Sequence, residues 1–128
     1  MNEKVRSYED LVAWQKAREL GLAIYRATSA FPDHERFGLT AQLRRAGVSV
    51  ASNIAEGYGR GTRADYLRFL RIARGSVCEI ETQLLFALDL GYLESAPCEG
   101  IRAIADECGR VLGGLIRSIE ASGVSAGG

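Results

Sequence analysis

Arginine is the residue type whose number and spacing most clearly suggest chemistry in this sequence. There are fourteen arginines and two lysines among 128 residues, and they balance sixteen acids in sum but not in place. Between residues 36 and 74 eight arginines stand against Glu56 and Asp65, a net of +6, while residues 75–107 carry seven acids against Arg102, a net of −6. Helix physics does not ask for this. A cation at Arg63 opposes the dipole of a helix that begins there, and Arg71 has Arg68 and Arg74 at i±3 with no acid at i±4. Guanidinium is the better fork for phosphate or carboxylate. Arg60, Arg63, Arg68, Arg71 and Arg74, with Arg44 and Arg45 as additions, are therefore candidates for an anion-binding surface whose likeliest ligand is RNA or DNA phosphate. The competing reading is that acids on another helix or another subunit neutralise them.

A second polar set lies between. Gln42, Arg45, Ser49, Ser52, Asn53 and Glu56 recur at steps of three and four, and so many hydrogen-bonding groups suggest a shared network. Arg45 and Glu56 are about 16 Å apart along one helix, so each must reach another helix, solvent or another chain. Such a network either fixes helix register or holds a ligand.

Other chemistry is thinly supported. His34 is the sole histidine, in a link after Pro32, which suits a loop surface better than catalysis. Cys78, Cys98 and Cys108 lack metal or disulfide spacing. Cys78 falls among arginines and acids, a setting that lowers a thiol pKa, but no histidine is near in sequence. Glu79 and Glu81 point to different helix faces. The glycines from Gly57 to Gly61 lack the strand and lysine of a phosphate-cradling loop. No catalytic residue, cofactor or metal is expected. Without an apolar run of about 18 residues or a signal-peptide pattern, a cytoplasmic protein with no membrane contact is expected.

Four helical segments must position these groups. The first is expected over residues 8–30, capped by Ser7 with Asp10 in reciprocal register, with Leu11, Trp14, Gly21, Ile24, Tyr25 and Thr28 near a helical repeat. The second covers residues 35–58 with a core stripe of Leu39, Leu43, Ala46, Val50, Ile54 and Gly57, and Gly47, Ala51 and Ala55 admit a close neighbour. The third covers residues 63–90, opened by Thr62 and Asp65 and stopped at Gly91; Tyr66, Phe69, Leu70, Ala73, Val77, Ile80, Leu84, Ala87 and Leu88 form its core stripe. The fourth covers residues 96–121, burying Ile101, Ile104, Ala105, Cys108, Val111, Leu112, Leu115 and Ile119. Residues 1–121 thus predict one all-α domain, an antiparallel up-down-up-down four-helix bundle, with a flexible tail over residues 122–128. Ile72, Phe86 and Leu90 make a second apolar stripe on the third helix. It packs under a loop or a diagonal neighbour, or it forms the interface of a homo-oligomer, the reading we favour.

The stretch FGLTAQLRRAGVSVASNIAEGYGR, followed by RADYLRFLRIARGSVCEIETQLLFALDLGYL, resembles the bacterial four-helix-bundle family named for proteins encoded in intervening sequences of 23S ribosomal RNA genes. LVAWQKARELGLAIYRAT and FPDHERFGLT fit the same pattern, so the likeness is dense over residues 8–93. NIAEG before a Gly-Arg turn, then RFL, IA, GS and E at helical spacing, is its specific part. Gly47 and Ala51 depart from it, where alanine and proline are favoured. The resemblance implies a ring-shaped homo-oligomer, a pentamer, and no enzymatic activity. More distantly the chain is similar to the accessory variability determinant of diversity-generating retroelements, a basic pentameric barrel that associates with a reverse transcriptase and nucleic acid. A protein partner in place of nucleic acid is the alternative.

Overall fold

The computed structural model describes the backbone of residues 5–127 and the side chains of residues 5–122. Four α-helices account for most of it: α1 (Val12–Thr28), α2 (Leu39–Gly59), α3 (Arg63–Asp89) and α4 (Ser95–Gly127). No strand occurs among the described residues. The expected tail at 122–128 lies almost wholly outside the residues whose side chains are described. α2 packs on α1 and α3, and α4 closes the cycle by packing on the same two helices.

The core stripes of α2 and α3 largely follow the predicted spacing, except that Leu39, Tyr66 and Leu88 are half-buried and Thr40, Leu67, Ser76 and Gln83 join the buried side. Leu43, Val50, Ile54, Leu70, Ile80 and Leu84 are all buried, and every fully buried chain of this kind stabilises the fold by about 1.5–3 kcal/mol. From α4, Cys98, Ile101, Ala105, Cys108, Leu112 and Ile116 complete the core, with Ile104, Val111, Leu115 and Ile119 half-buried against it. α1 differs from expectation. Its buried line is Ala13, Ala17, Leu20, Ile24 and Thr28, whereas Trp14 is half-buried and Tyr25 exposed. Small residues prevail because the α1–α2 seam is tight: a Cβ on Gly21 would stand 3.3 Å from the Gly47 carbonyl oxygen.

Two helix starts are also corrected. Residues 8–10 form a separate 3-10 turn, and Leu11 is extended (ψ 128°), so α1 begins at Val12. The cause is local hydrogen bonding. Ser7 Oγ accepts from the Glu9 amide at 3.2 Å, and the Asp10 carboxylate turns back to the Arg6 amide at 2.8 Å. Before α2, residues 33–35 form another 3-10 turn and the helix starts at Leu39 rather than Glu35. Glu35 becomes the cap from outside, its Oε1 accepting the Leu39 amide at 2.9 Å. Gly38 leaves room for it, since a Cβ there would come within 2.5 Å of that oxygen.

The α3 boundaries follow the sequence, whereas α4 continues to Gly127, past its expected end at residue 121. Thr62 Oγ1 accepts from the Asp65 amide at 3.2 Å, and Gly91 (φ +78°) ends α3. The amides of Gly91 and Tyr92 bond back to Leu88 and Ala87, as in a Schellman motif.

Glycine substitutions separate tight seams from open ones. A Cβ at Gly57 would lie 2.8 Å from Phe69 Cβ, whereas at Gly100 nothing stands within 4 Å. Gly57→Ala is therefore expected to destabilise by about 1–3 kcal/mol despite alanine's better helix propensity. Gly100→Ala is expected to stabilise by about 0.5–1 kcal/mol. Chemical denaturation of the two variants checks both signs, and a stabilised Gly57→Ala would remove the close α2–α3 contact.

Candidate nucleic-acid interface

The turn between α2 and α3 is built by three features. The Arg60 amide closes on the Gly57 carbonyl at 3.2 Å, Gly61 takes φ +89°, and Thr62 caps α3. Bare Gly57 lets α2 settle on Tyr66 and Phe69. Phe69 is buried, and two guanidiniums lie over its ring, Arg60 at 5.1 Å and Arg68 at 4.5 Å from the centroid. Cation–π attraction of about 0.5–1 kcal/mol each holds them at the surface of this end. Tyr58 meets Tyr66 edge-on at 6.0 Å, and burial, helped by Tyr58, pushes the Tyr66 hydroxyl up to about 12.

The seven candidate arginines do not form one patch. Arg60, Arg63, Arg68, Arg71 and Arg74 are exposed around this turn and along the first half of α3. Arg60 pairs with Glu56 (3.6 Å) and Asp65 (3.9 Å), and Arg68 shares Asp65 (3.7 Å). Arg71 bonds Glu120 of α4. Among the described residues Arg63 and Arg74 have no carboxylate within ion-pair distance, and Arg74 borders a shallow α3–α4 cleft with Cys78, Glu81 and Asp106.

The two arginines of α2 lie elsewhere. Arg44 is half-buried against α1, where Nε donates to Thr28 Oγ1 at 2.8 Å and the guanidinium covers the Tyr25 ring at 4.7 Å. Its Nε and one terminal nitrogen thus bond the end of α1, the latter to the Tyr25 carbonyl at 3.4 Å. Arg45 is exposed on the α2–α3 side, beside Gln42, Ser49 and Glu79.

The expected polar network is shorter than the sequence pattern suggests. Asn53 Nδ2 donates to the Ser49 carbonyl (2.8 Å) and to Ser49 Oγ (2.9 Å), and Ser49 Oγ meets Ser76 Oγ at 3.0 Å. Gln42 receives a separate bond from Gln83 at 3.3 Å. Glu56 turns to Arg60, while Arg45 and Ser52 stay outside it because their positions on α2 face solvent. Ser76 and Gln83 are the members that spacing along α2 alone does not reveal.

A further cluster ties the turn before α2 to the turn after α3. Tyr92 Oη donates to Glu35 Oε2 at 2.9 Å, and His34 Nε2 lies 3.2 Å from Tyr92 Oη, which then accepts from it. Phe31 packs on the Tyr92 ring at 5.7 Å. The Leu39 amide and then the Tyr92 hydroxyl hold the Glu35 carboxyl below its ordinary value, while the hydrogen bond to Glu35 holds Tyr92 above its own. Cys98 and Cys108 are buried, and loss of solvation raises both thiols, Cys108 to about 12. Cys78 is exposed. Among the described residues no three His, Cys, Asp or Glu side chains converge as metal ligands, and no helix is long and apolar enough to cross a membrane.

Fold and site together define a small all-α protein: four helices around one core, with an arginine-rich turn at one end. The chain belongs to the 23S rRNA-intervening sequence protein family, whose profile matches residues 9–114. It is similar to a solved structure from Bacteroides thetaiotaomicron, described as a protein of unknown function from the S23 ribosomal protein family. The two are 25% identical with a TM-score of 0.76, over 83% of this chain and 96% of that one. No curated protein matches the chain significantly.

The Glu35 cap makes a pH prediction. A carboxyl with a lowered folded value stabilises the native state above its unfolded value near 4.5, and that contribution is lost as pH falls through the folded value. Glu35→Gln is expected to flatten the loss of stability below pH 4.5 and to leave the slope near neutrality unchanged. Urea titrations between pH 3 and 7 measure it, and identical slopes for the two proteins would show that the cap does not titrate with folding.

Proposed function

We propose that the protein is a non-enzymatic, cytoplasmic homo-oligomer that binds RNA or other nucleic acid through the arginines of the α2–α3 turn and α3. The observation that carries this reading is the exposure of Arg60, Arg63, Arg68, Arg71 and Arg74 within fifteen residues, against only Glu56, Asp65 and Glu120 as partners among the described residues. Solvent-exposed ion pairs contribute about 0–1 kcal/mol, so a phosphate that offers bidentate bonds and releases counterions can replace them. Membership of a family named for 23S rRNA intervening sequences agrees with an RNA ligand.

An up-down antiparallel bundle is supported by the paired contacts of α2: Arg44 near its start meets Thr28 at the end of α1, and Gly57 near its end meets Phe69 near the start of α3. Oligomerisation is supported by Ile72, Phe86 and Leu90, which are 44%, 59% and 54% exposed on α3. Apolar side chains this open on one helix favour association with a sister copy. The resemblance noted above supports a ring-shaped assembly, a pentamer. It would multiply a weak arginine surface into a strong one. The absence of catalysis is supported by His34, whose Nε2 is engaged with Tyr92, and by the buried, protonated Cys98 and Cys108.

One observation favours a second reading, a structural or adaptor oligomer that binds a partner protein. Arg71 is matched by Glu120 and Arg44 by Thr28, so part of the arginine surplus is consumed within the chain. Fluorescence anisotropy with a short structured RNA at two salt concentrations separates the readings. Nucleic-acid binding predicts affinity that falls steeply with salt, and Arg71→Ala with Arg74→Ala is expected to lower the logarithmic salt slope by about one unit per arginine, with the helical signal intact. The adaptor reading predicts no RNA signal and a change in oligomer mass for the same double variant.

A further inference from the structure

Between α2 and α3 lies a cleft of about 580 Å³ whose lining combines apolar walls with acceptors and carboxylates. Leu39, Phe86 and Leu90 form the walls, and Glu35 and Glu79 supply negative charge. No arginine or lysine lines it. Gln83, on its floor, is only 7% exposed, and its Oε1 is buried with no hydrogen-bond partner among the described residues. Its Nε2 donates to Gln42 and Glu79, both at 3.3 Å, slightly beyond ordinary N–H···O lengths, and the amide lines the cleft. An unmet buried acceptor carries a penalty that a donor from outside would relieve.

The chemistry the cleft asks for is specific. Carboxylate charge and a bare acceptor call for several N–H donors on a cation, and apolar walls suit an aliphatic stem. Arginine meets all three conditions, because its methylenes lie along apolar surface while its fork reaches two acceptors. The chain holds such groups in surplus. Ten of the fourteen arginines, Arg45, Arg63 and Arg74 among them, have no carboxylate within ion-pair distance among the described residues. The cleft is also continuous with the exposed Phe86 and Leu90, so whatever covers those side chains sits at its mouth.

We propose that this cleft receives an arginine side chain from a second copy of the chain, its guanidinium on Glu79 and Gln83 Oε1 and its stem against Leu39, Phe86 and Leu90. The site is then incomplete in one protomer and is finished by its neighbour. This rests on the oligomer reading above and adds to it the polar contact that sets register between copies, which an apolar stripe alone leaves loose.

Light scattering of purified variants tests it, with circular dichroism as the check of folding. Glu79 is exposed, so Glu79→Arg and Glu79→Gln are expected to fold. Glu79→Arg should weaken assembly by about tenfold or more, with Glu79→Gln intermediate. Adding Arg45→Glu, Arg63→Glu or Arg74→Glu should restore the wild-type mass in one of the three cases and so identify the donor. If both Glu79 variants keep the wild-type mass while Phe86→Asp loses it, the oligomer stands and the arginine seat falls. Loss of assembly in Glu79→Arg with no restoration by any of the three also overturns the proposal. A wild-type protein of 13.9 kDa in solution would overturn both readings together.

Discussion

With no Cβ at position 57, α2 comes down onto Tyr66 and Phe69 at distances that alanine would not permit. Much at this end of the molecule follows from that approach. It brings the last turn of α2 beside the first turns of α3, so Arg60 and Arg68 can flank one buried ring. It also seats Asp65 where both guanidiniums reach it. The result is a turn whose aromatic floor is rigid and whose cations are held in the open. Such an arrangement reduces the entropy that long arginine side chains lose on meeting a phosphate.

The electrostatics of this chain are therefore a matter of placement. A balanced total still leaves the α2–α3 end positive, because several of the acids that offset it lie late in α3 and in α4. Arg71 shows how far the compensation goes. The repulsion expected from Arg68 and Arg74 is relieved by Glu120, forty-nine residues away, which α4 carries alongside α3. Arg63 and Arg74 receive no comparable relief among the described residues, and a cation left in that state gains most from an external anion.

Long, regular helices with branched aliphatic stripes were legible in the sequence, and most of the buried lines of α2 and α3 agree with it, although Leu39, Tyr66 and Leu88 are only half-buried and Thr40, Leu67, Ser76 and Gln83 are buried beside the stripes. α1 was harder, because hydropathy gives weight to Trp14 and Tyr25 although the buried line runs through Ala13, Ala17, Leu20, Ile24 and Thr28. Glu35 misled for another reason. A carboxylate at the expected helix start reads as a first-turn acid, yet here it caps from outside, four residues before the amide it accepts. Of the arginines, Arg60, Arg63, Arg68, Arg71 and Arg74 share a region because sequence neighbours on one helix and its entry turn must do so. Arg44 and Arg45 lie outside the group because they stand about four turns of α2 before Arg60, and they part from each other because adjacent positions on a helix point about 100° apart.

That angular step also explains the mixed character of the α2–α3 seam. Towards the arginine turn it is closed by Gly57, Phe69 and Leu70; in the middle it passes through Ser49, Asn53 and Ser76; and beyond Gln42 and Gln83 it opens into the cleft. A seam made only of leucines would pack as well and leave no acceptor unmet. Retaining Gln83 in a core stripe, between Ile80 and Leu84, costs stability unless something outside the protomer completes it. The bare glycine at one end and the unmet amide at the other give the two ends of a single helix pair different characters, one with exposed arginines and the other with carboxylates beside an apolar cleft.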